Sequence, residues 1–225
     1  MILSIDSANA GQHADLLDEM FKVRADVFEK RLNWDVKTIN GREIDEFDDQ
    51  DPTYVISLCD KTGEFRGSVR LLKTTGPNML SDVFADLLGE QPKIADPLIL
   101  ESSRFSIRTD MVHQSCSLSG DSPVQQTTVE LLLGLIEASQ RVGATQIVSV
   151  FDARMARLFR RLDCAPDPVG TPQRFGKAMA YAGLFDATDE QWQRVAANAG
   201  IESSVIGERF TFMPPVIAPM QGLVA

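Results

Sequence analysis

Four charged residues stand where this chain should carry apolar ones, and they limit its possible folds more than any other feature. Leu17, Phe21, Arg24 and Phe28 are spaced i, i+4, i+7, i+11, so Arg24 lies in the inward stripe of a helix expected over 14–30. Arg70 interrupts an apolar strand expected at Ser68–Lys73, and Glu101 and Arg104 interrupt another at Leu98–Ile107. A buried guanidinium without carboxylate partners costs several kcal/mol. The fold must therefore gather these elements around one ion network. Otherwise Arg24 snorkels from the edge of its stripe and Arg70 marks an edge strand. Partners are at hand in Asn33–Pro52, which reads as a long loop carrying Glu43, Asp45, Asp48, Asp49 and Asp51. Such a loop can also be plain solvated surface or hold a hard cation, although its spacing is not that of an EF-hand. Glu101 and Arg104 differ by an odd number, so a regular strand points them to opposite faces. For both to serve one cleft, the strand must bulge near Ser102–Ser103.

The remaining pattern alternates helices and strands. Tyr54–Cys59 and Ser68–Lys73 read as strands joined through a turn at Lys61–Gly63. Pro77 opens a short helix with Met79, Leu80, Val83, Phe84 and Leu87 inward. Ser122, Pro123 and Gln125 form a helix start, and that helix runs to about Val142 and stops at Gly143. Gln146–Val150 is an expected strand and Asp152–Leu162 an amphipathic helix. Beyond Pro166 the pattern weakens, with a helix near Glu190–Ala197 and a strand near Phe210–Phe212. This order predicts one three-layer α/β/α domain over 1–225, built on a mixed sheet.

Composition excludes several classes. A net charge of −10 argues against nucleic acid as a partner. No run of about 18 apolar residues exists, which argues against a membrane span. The opening residues lack the form of a signal peptide. Cys59, Cys116 and Cys164 are few and widely spaced, which reads as a reduced cytoplasmic protein without a disulfide framework. His13 and His113 have no metal-ligand spacing, so no metal is expected. There is no G-x-S-x-G elbow, Walker A loop or G-x-G-x-x-G after a strand, which leaves serine hydrolases and Rossmann nucleotide sites unsupported. Gln140–Ala144 faintly resembles an acetyltransferase pyrophosphate loop, but a helix cap at Gly143 explains it as well.

Taken in order, the charged residues and their neighbours resemble the signature of LuxI-type acyl-homoserine-lactone synthases. The stretches are Arg24-x-x-x-Phe28, Leu32-Asn33-Trp34-Asp35-Val36, and Glu43-x-Asp45-x-x-Asp48. Then come Val69-Arg70-Leu71-Leu72, Gly76-Pro77-x-Met79-Leu80, Phe84, and Glu101-Ser102-Ser103-Arg104-Phe105. The match is close over about 20–110, weaker over 123–162 and thin afterwards. Asn33 departs from a frequent glycine.

The resemblance implies a fold like that of GCN5-type N-acetyltransferases, with a V-shaped cleft in the sheet. Its substrates would be S-adenosylmethionine, which is no cofactor, and an acyl-carrier protein or acyl-CoA. The products would be acyl-homoserine lactone and methylthioadenosine. It also implies a catalytic group of Glu101, Arg104, Glu43, Asp45, Arg24 and Arg70. Phe28, Trp34, Asp48, Ser103 and Phe105 would meet S-adenosylmethionine, and Met79, Phe84, Val148 and Ser149 the acyl chain. Ser149 falls where a threonine accompanies 3-oxo preference.

Arg154, Arg157, Arg160 and Arg161 crowd one short helix without local acidic balance. They read either as a solvated face or as a docking patch for an anionic acyl donor. Two rival functions remain: an acetyl-CoA N-acetyltransferase of similar fold, and a non-catalytic binding protein that keeps the network as structure.

Overall fold

The computed structural model describes residues 1–109, 123–176 and 178–207. The expected cap at Ser122, the strand near Phe210–Phe212, His113 and Cys116 lie outside the described residues. A seven-stranded sheet runs in the order β1-β4-β5-β6-β7-β9-β8, with β1 at Ile2–Ile5, β4 at Thr53–Leu58, β5 at Phe65–Lys73 and β6 at Ile99–Ile107. β7 spans Gln146–Asp152, β8 Asp167–Phe175 and β9 Ala178–Asp186. Only β6 and β7 pair in parallel; every other neighbour is antiparallel. β2 (Thr38–Ile39) and β3 (Arg42–Glu43) form a small hairpin inside the acidic loop, which was expected to be irregular throughout.

Strand alternation sorts the side chains into two layers. Ile2, Val55, Val69, Leu71 and Leu100 face α3 (Pro123–Arg141), which contributes Leu131 and Leu135. α4 (Ala153–Arg161) and α5 (Asp189–Ala197) pack beside α3 through Phe159, Leu162 and Val195. On the opposite face Leu3, Ile5, Tyr54, Ile56 and Leu58 meet Leu16, Met20 and Val23 of α1 (Ala14–Ala25). Further along that face, Val148, Ala180 and Ala182 meet Leu80 of α2 (Met79–Asp82) and Leu87 and Leu88 beyond it. The three-layer α/β/α arrangement with a mixed sheet is as the sequence predicts. Gly143 does end α3, at φ +80°.

Four further details differ from the sequence reading. α1 does not continue as a regular helix to residue 30; it widens at Asp26–Arg31 into a π-helical turn, which carries Phe28 inward. Val83 is exposed rather than inward, because α2 has only one turn. The sequence pattern signals no strand at β1 or over the β8–β9 hairpin. β1 is only four residues long, and β8 carries Pro168, Gly170 and Pro172, which blur any alternation. Gly170 is required there: at φ +60°, a Cβ would sit 1.8 Å from the Leu87 carbonyl oxygen. Finally, Cys59 is disulfide-bonded, which corrects the expectation of no disulfide, while Cys164 is a buried free thiol. Linear spacing does not reveal which thiols the fold brings together.

Candidate active site

The buried charges belong to one cluster. Arg24, at the end of α1, is 1% exposed and fills the space between two carboxylates. Its Nε donates to Glu43 Oε2 at 2.6 Å, and its terminal nitrogens donate to Asp48 at 2.8 and 2.9 Å. Arg70, on β5, donates to Asp45 at 2.5 and 3.1 Å, to Asp48 at 2.8 Å and to Ser103 Oγ at 3.1 Å. Arg104, on β6, donates to Glu43 Oε1 at 3.0 Å and pairs with Asp45 at 2.7 Å. Three guanidiniums thus meet three carboxylates, so the cluster is neutral by formal charge.

The loop is shaped to present those carboxylates. Asp45 and Asp48 cap a 3-10 turn at Glu46–Asp49 reciprocally: Asp45 accepts from the Phe47 amide and Asp48 from the Asp45 amide. Each arginine also lies over an aromatic ring: Arg24 over Phe21, Arg70 over Phe47 and Arg104 over Phe28, at 5.2, 5.7 and 5.4 Å. Burial alone would weaken the charge on Arg24, but Asp48 and Glu43 outweigh it and hold its pKa above the usual range. Burial likewise raises Asp48, but Arg24, Arg70 and the Asp45 amide pull it well below the usual carboxylate range.

β6 solves the odd spacing of Glu101 and Arg104. Arg70 pairs with Ser103 and Ser68 with Ser106, so two β6 residues, Arg104 and Phe105, oppose Val69 alone. Arg104 is the kink, at φ +56°, a conformation rare for a non-glycine residue. The bulge lies one residue beyond Ser102–Ser103, where the sequence suggested it. Because of it, Ser103, Arg104 and Ser106 stay on the α1–α2 face, while Phe105 packs into the α3 layer. Glu101 and Arg104 then share a neighbour: Glu101 accepts from the Met79 amide at 2.9 Å, and Arg104 approaches Met79 Sδ at 3.3 Å.

Glu101 is 1% exposed. Its second oxygen accepts from the Leu80 amide at 2.5 Å. Burial pushes its carboxyl up to about 7, against the pull of the Met79 and Leu80 amides and of Arg70; Asp82 adds to the rise.

Beside Glu101 the sheet opens. β6 and β7 pair only from Ile99↔Gln146 to Ser102↔Ser149, although both strands run on. At that last rung the Ser149 hydroxyl donates to the Ser102 carbonyl at 3.2 Å. Val148 lies on the α2 face with Leu80 and Phe84, whereas Ser149, next in the strand, points to the α3 side. Met79 joins Phe47, Leu72 and Phe84. Trp34 is 47% exposed and stacks on buried Phe28, with ring centroids 5.2 Å apart. Arg154, Arg157, Arg160 and Arg161 are all exposed on α4, away from the cluster's partners, with Met155, Leu158 and Phe159 turned inward.

Sequence reasoning missed Tyr54, whose hydroxyl donates to Asp48 Oδ1 at 2.9 Å. The available signal was a tyrosine opening an otherwise apolar strand, since a buried phenol needs a partner. It also missed Asn78, 2% exposed, in the turn that holds α2.

A mixed sheet whose parallel pair parts midway, with a bulged strand at the opening, defines an N-acyltransferase fold of the GCN5 type. The chain belongs to the autoinducer synthase family: that family model matches residues 7–195. It is 34% identical over 194 residues to the acyl-homoserine-lactone synthase of Agrobacterium fabrum, covering 86% of this chain and 90% of that protein. A probable acyl-homoserine-lactone synthase of Sinorhizobium fredii is 33% identical over 194 residues, covering 86% of this chain and 91% of that protein. Among solved structures, the CoA-dependent acyl-homoserine lactone synthase MesI superposes with a TM-score of 0.78 at 26% identity, covering 93% of this chain and all of that one. BjaI, another CoA-dependent synthase, solved with S-adenosylmethionine and isopentyl-CoA, gives 0.78 at 26% identity and 91% coverage of both chains.

Proposed function

We propose that this autoinducer synthase joins the acyl group of a thioester to the amine of S-adenosylmethionine and closes the product to an N-acyl-homoserine lactone. The observation that carries the reading is the Arg104 bulge, which leaves Glu101 and Arg104 on one face where β6 parts from β7. The names and bound substrates of the similar synthases support it. The whole chain acts as one domain.

In the first step the amine nitrogen attacks the thioester carbonyl carbon. The N–C bond forms, the C–S bond breaks, and the sulfur leaves as a thiolate. Glu101 takes the amine proton, directly or through water. Each carboxylate oxygen has two lone pairs, so a proton can be accepted on the side not facing the α2 amides. Burial, by bringing its pKa to about 7, matches that task near neutrality. A β6 amide freed at the bulge stabilises the oxyanion.

In the second step the methionyl carboxylate oxygen attacks the carbon beside the sulfonium. The C–O bond forms, the C–S electron pair returns to sulfur, and methylthioadenosine departs. This step requires alignment more than acid–base chemistry. The stacked Phe28 and Trp34 form a wall for the sulfonium substrate beside Asp48 and Ser103, while Phe105, turned to the α3 layer by the bulge, supports the site from behind the strand. Arg24, Arg70 and Arg104, with Glu43 and Asp45, hold that frame in place. Met79, Phe84 and Val148 border the acyl chain on the α2 face, and Ser149 meets it only across the opening, from the α3 side. The exposed arginines of α4 receive the anionic donor, an acyl-carrier protein or acyl-CoA. Both substrates are metabolites of the cell interior, which assigns the enzyme to the cytoplasm.

The test supplies purified protein with S-adenosylmethionine and either acyl-CoA or acyl-carrier protein. Lactone and methylthioadenosine should form in equal amounts by mass spectrometry. Acetylation of an unrelated amine without lactone would identify an N-acetyltransferase instead, and folded protein with neither product would identify a binding protein.

A further inference from the structure

The turn that opens α2 is tied together more densely than a surface turn requires. Asn78 is 2% exposed and uses every polar atom of its side chain. Its Nδ2 donates to the carbonyls of Thr74 and Gly76 at 3.3 and 2.9 Å, and its Oδ1 accepts from the Ser81 amide at 3.0 Å. Its own amide donates to Asp82 Oδ2 at 3.1 Å. Thr74, 3% exposed, continues the lock: its hydroxyl lies 2.8 Å from the carbonyls of both Asp96 and Ile99. Ile99 is the first residue of β6, the strand that carries Glu101.

The turn and the strand are therefore braced as one frame. The next two amides after Asn78 are those of Met79 and Leu80, and both end on Glu101. A one-turn helix has little cooperativity of its own. Its first amides stay aimed at a carboxylate only if the cap residue holds them.

We propose that Asn78 is a positioning residue for acyl transfer, keeping the Met79 and Leu80 amides on the Glu101 carboxylate and so fixing where and at what pH Glu101 accepts its proton. The proposal rests on the reading of Glu101 as the proton acceptor. The charges facing Glu101 are Arg70 from β5, which favours its ionised form, and Asp82 from α2, which opposes it. Arg104, further along β6, meets Glu101's partner Met79 rather than Glu101 itself. Loosening the two amides removes donors that favour the ionised carboxylate, so the pKa of Glu101 should rise.

The experiment compares wild type, Asn78→Ala and Asn78→Ser. Serine keeps a cap acceptor for the Ser81 amide but loses the two donors to Thr74 and Gly76. The Glu101 side-chain carboxyl is titrated by carbon-13 NMR, its resonance assigned with Glu101→Gln, and kcat is measured against pH with S-adenosylmethionine and acyl-CoA. The NMR pKa and the acid limb of kcat should both move up by roughly one pH unit in Asn78→Ala, and by less in Asn78→Ser. kcat at pH 7 should fall by up to about tenfold and recover at higher pH, with the KM for S-adenosylmethionine unchanged. Should Asn78→Ala not fold, Asn78→Ser carries the same comparison. An unmoved NMR pKa in the folded variant overturns the proposal, as does a drop in kcat that is uniform across pH. An NMR pKa that moves while the kinetic limb stays fixed overturns instead the role of Glu101 as proton acceptor, and with it any role of Asn78 in the reaction.

Discussion

Two carboxylate assemblies hold opposite faces of the sheet, a buried one on the α1 face and a half-buried one on the α3 face, and they are built differently. On the α1 face, Glu43, Asp45 and Asp48 are satisfied almost wholly by three guanidiniums. On the α3 face, Glu137 meets only neutral donors among the described residues. Trp192 Nε1 reaches it at 2.8 Å, Ser204 Oγ at 2.6 Å, and the amides of Val205 and Ile206 at 2.9 and 3.1 Å. Glu137 is a clamp: it fastens α5 and the 204–206 segment, whose Ile206 bridges to Ile2 at the sheet edge. The α1-face cluster instead fixes five elements around the opening beside Glu101. Ionic partners tolerate no deletion, because each loss strands a charge; neutral donors are lost one bond at a time.

The largest effect should come from Arg24→Met. It leaves Glu43 and Asp48 short of a buried partner, and urea unfolding should show a loss of about 3–5 kcal/mol. A loss no greater than that of a surface residue would mean that the cluster relaxes freely and is not a rigid frame. Glu137→Gln should cost about 1–3 kcal/mol, because an amide group can accept from only part of the donor set and presents its own N–H₂ to the rest. Hydrogen exchange at Val205 and Ile206 should accelerate while kcat of the folded enzyme stays at the wild-type value. A fall in kcat would show that the two faces are coupled. Tyr54→Phe should have the smallest effect, about 0.5–1.5 kcal/mol, since Asp48 keeps Arg24, Arg70 and the Asp45 amide. A cost matching Arg24→Met would erase the distinction between charged and neutral partners.

pH separates the site's own carboxyls. The Asp48 pKa is depressed, so its contribution to stability is present above the ordinary value of 3.8 and is lost as pH falls through the lowered one. The Glu101 pKa is raised, so its contribution is present below the ordinary 4.5 and is lost as pH rises through about 7. Asp48→Asn should flatten the acid side of a stability–pH curve, and Glu101→Gln the side between about 4.5 and 7.

The amino-acid sequence by itself determined the layers and the residues from which the network draws its charges; the cleft came from the family resemblance. Helical and strand periods assign faces wherever apolar residues repeat regularly, and Arg24, Arg70, Glu101 and Arg104 were visible as breaks in those periods. Their partners Glu43, Asp45 and Asp48 were visible as a dense acidic loop, because so many carboxylates in a short stretch need a reason. Only the tertiary structure decided the pairing within the network and its neutrality, since which carboxylate meets which arginine depends on how α1, β5 and β6 converge. It alone put the bulge at Arg104, a positive φ that no propensity scale assigns to arginine. It alone gave Asn78 and Tyr54 their places, because one buried hydrogen-bonding side chain looks ordinary in sequence and acquires meaning only from what it touches. Periodic burial is a local property and can be read along the chain; the partners of a buried polar atom are set by chain crossings that the sequence does not write down.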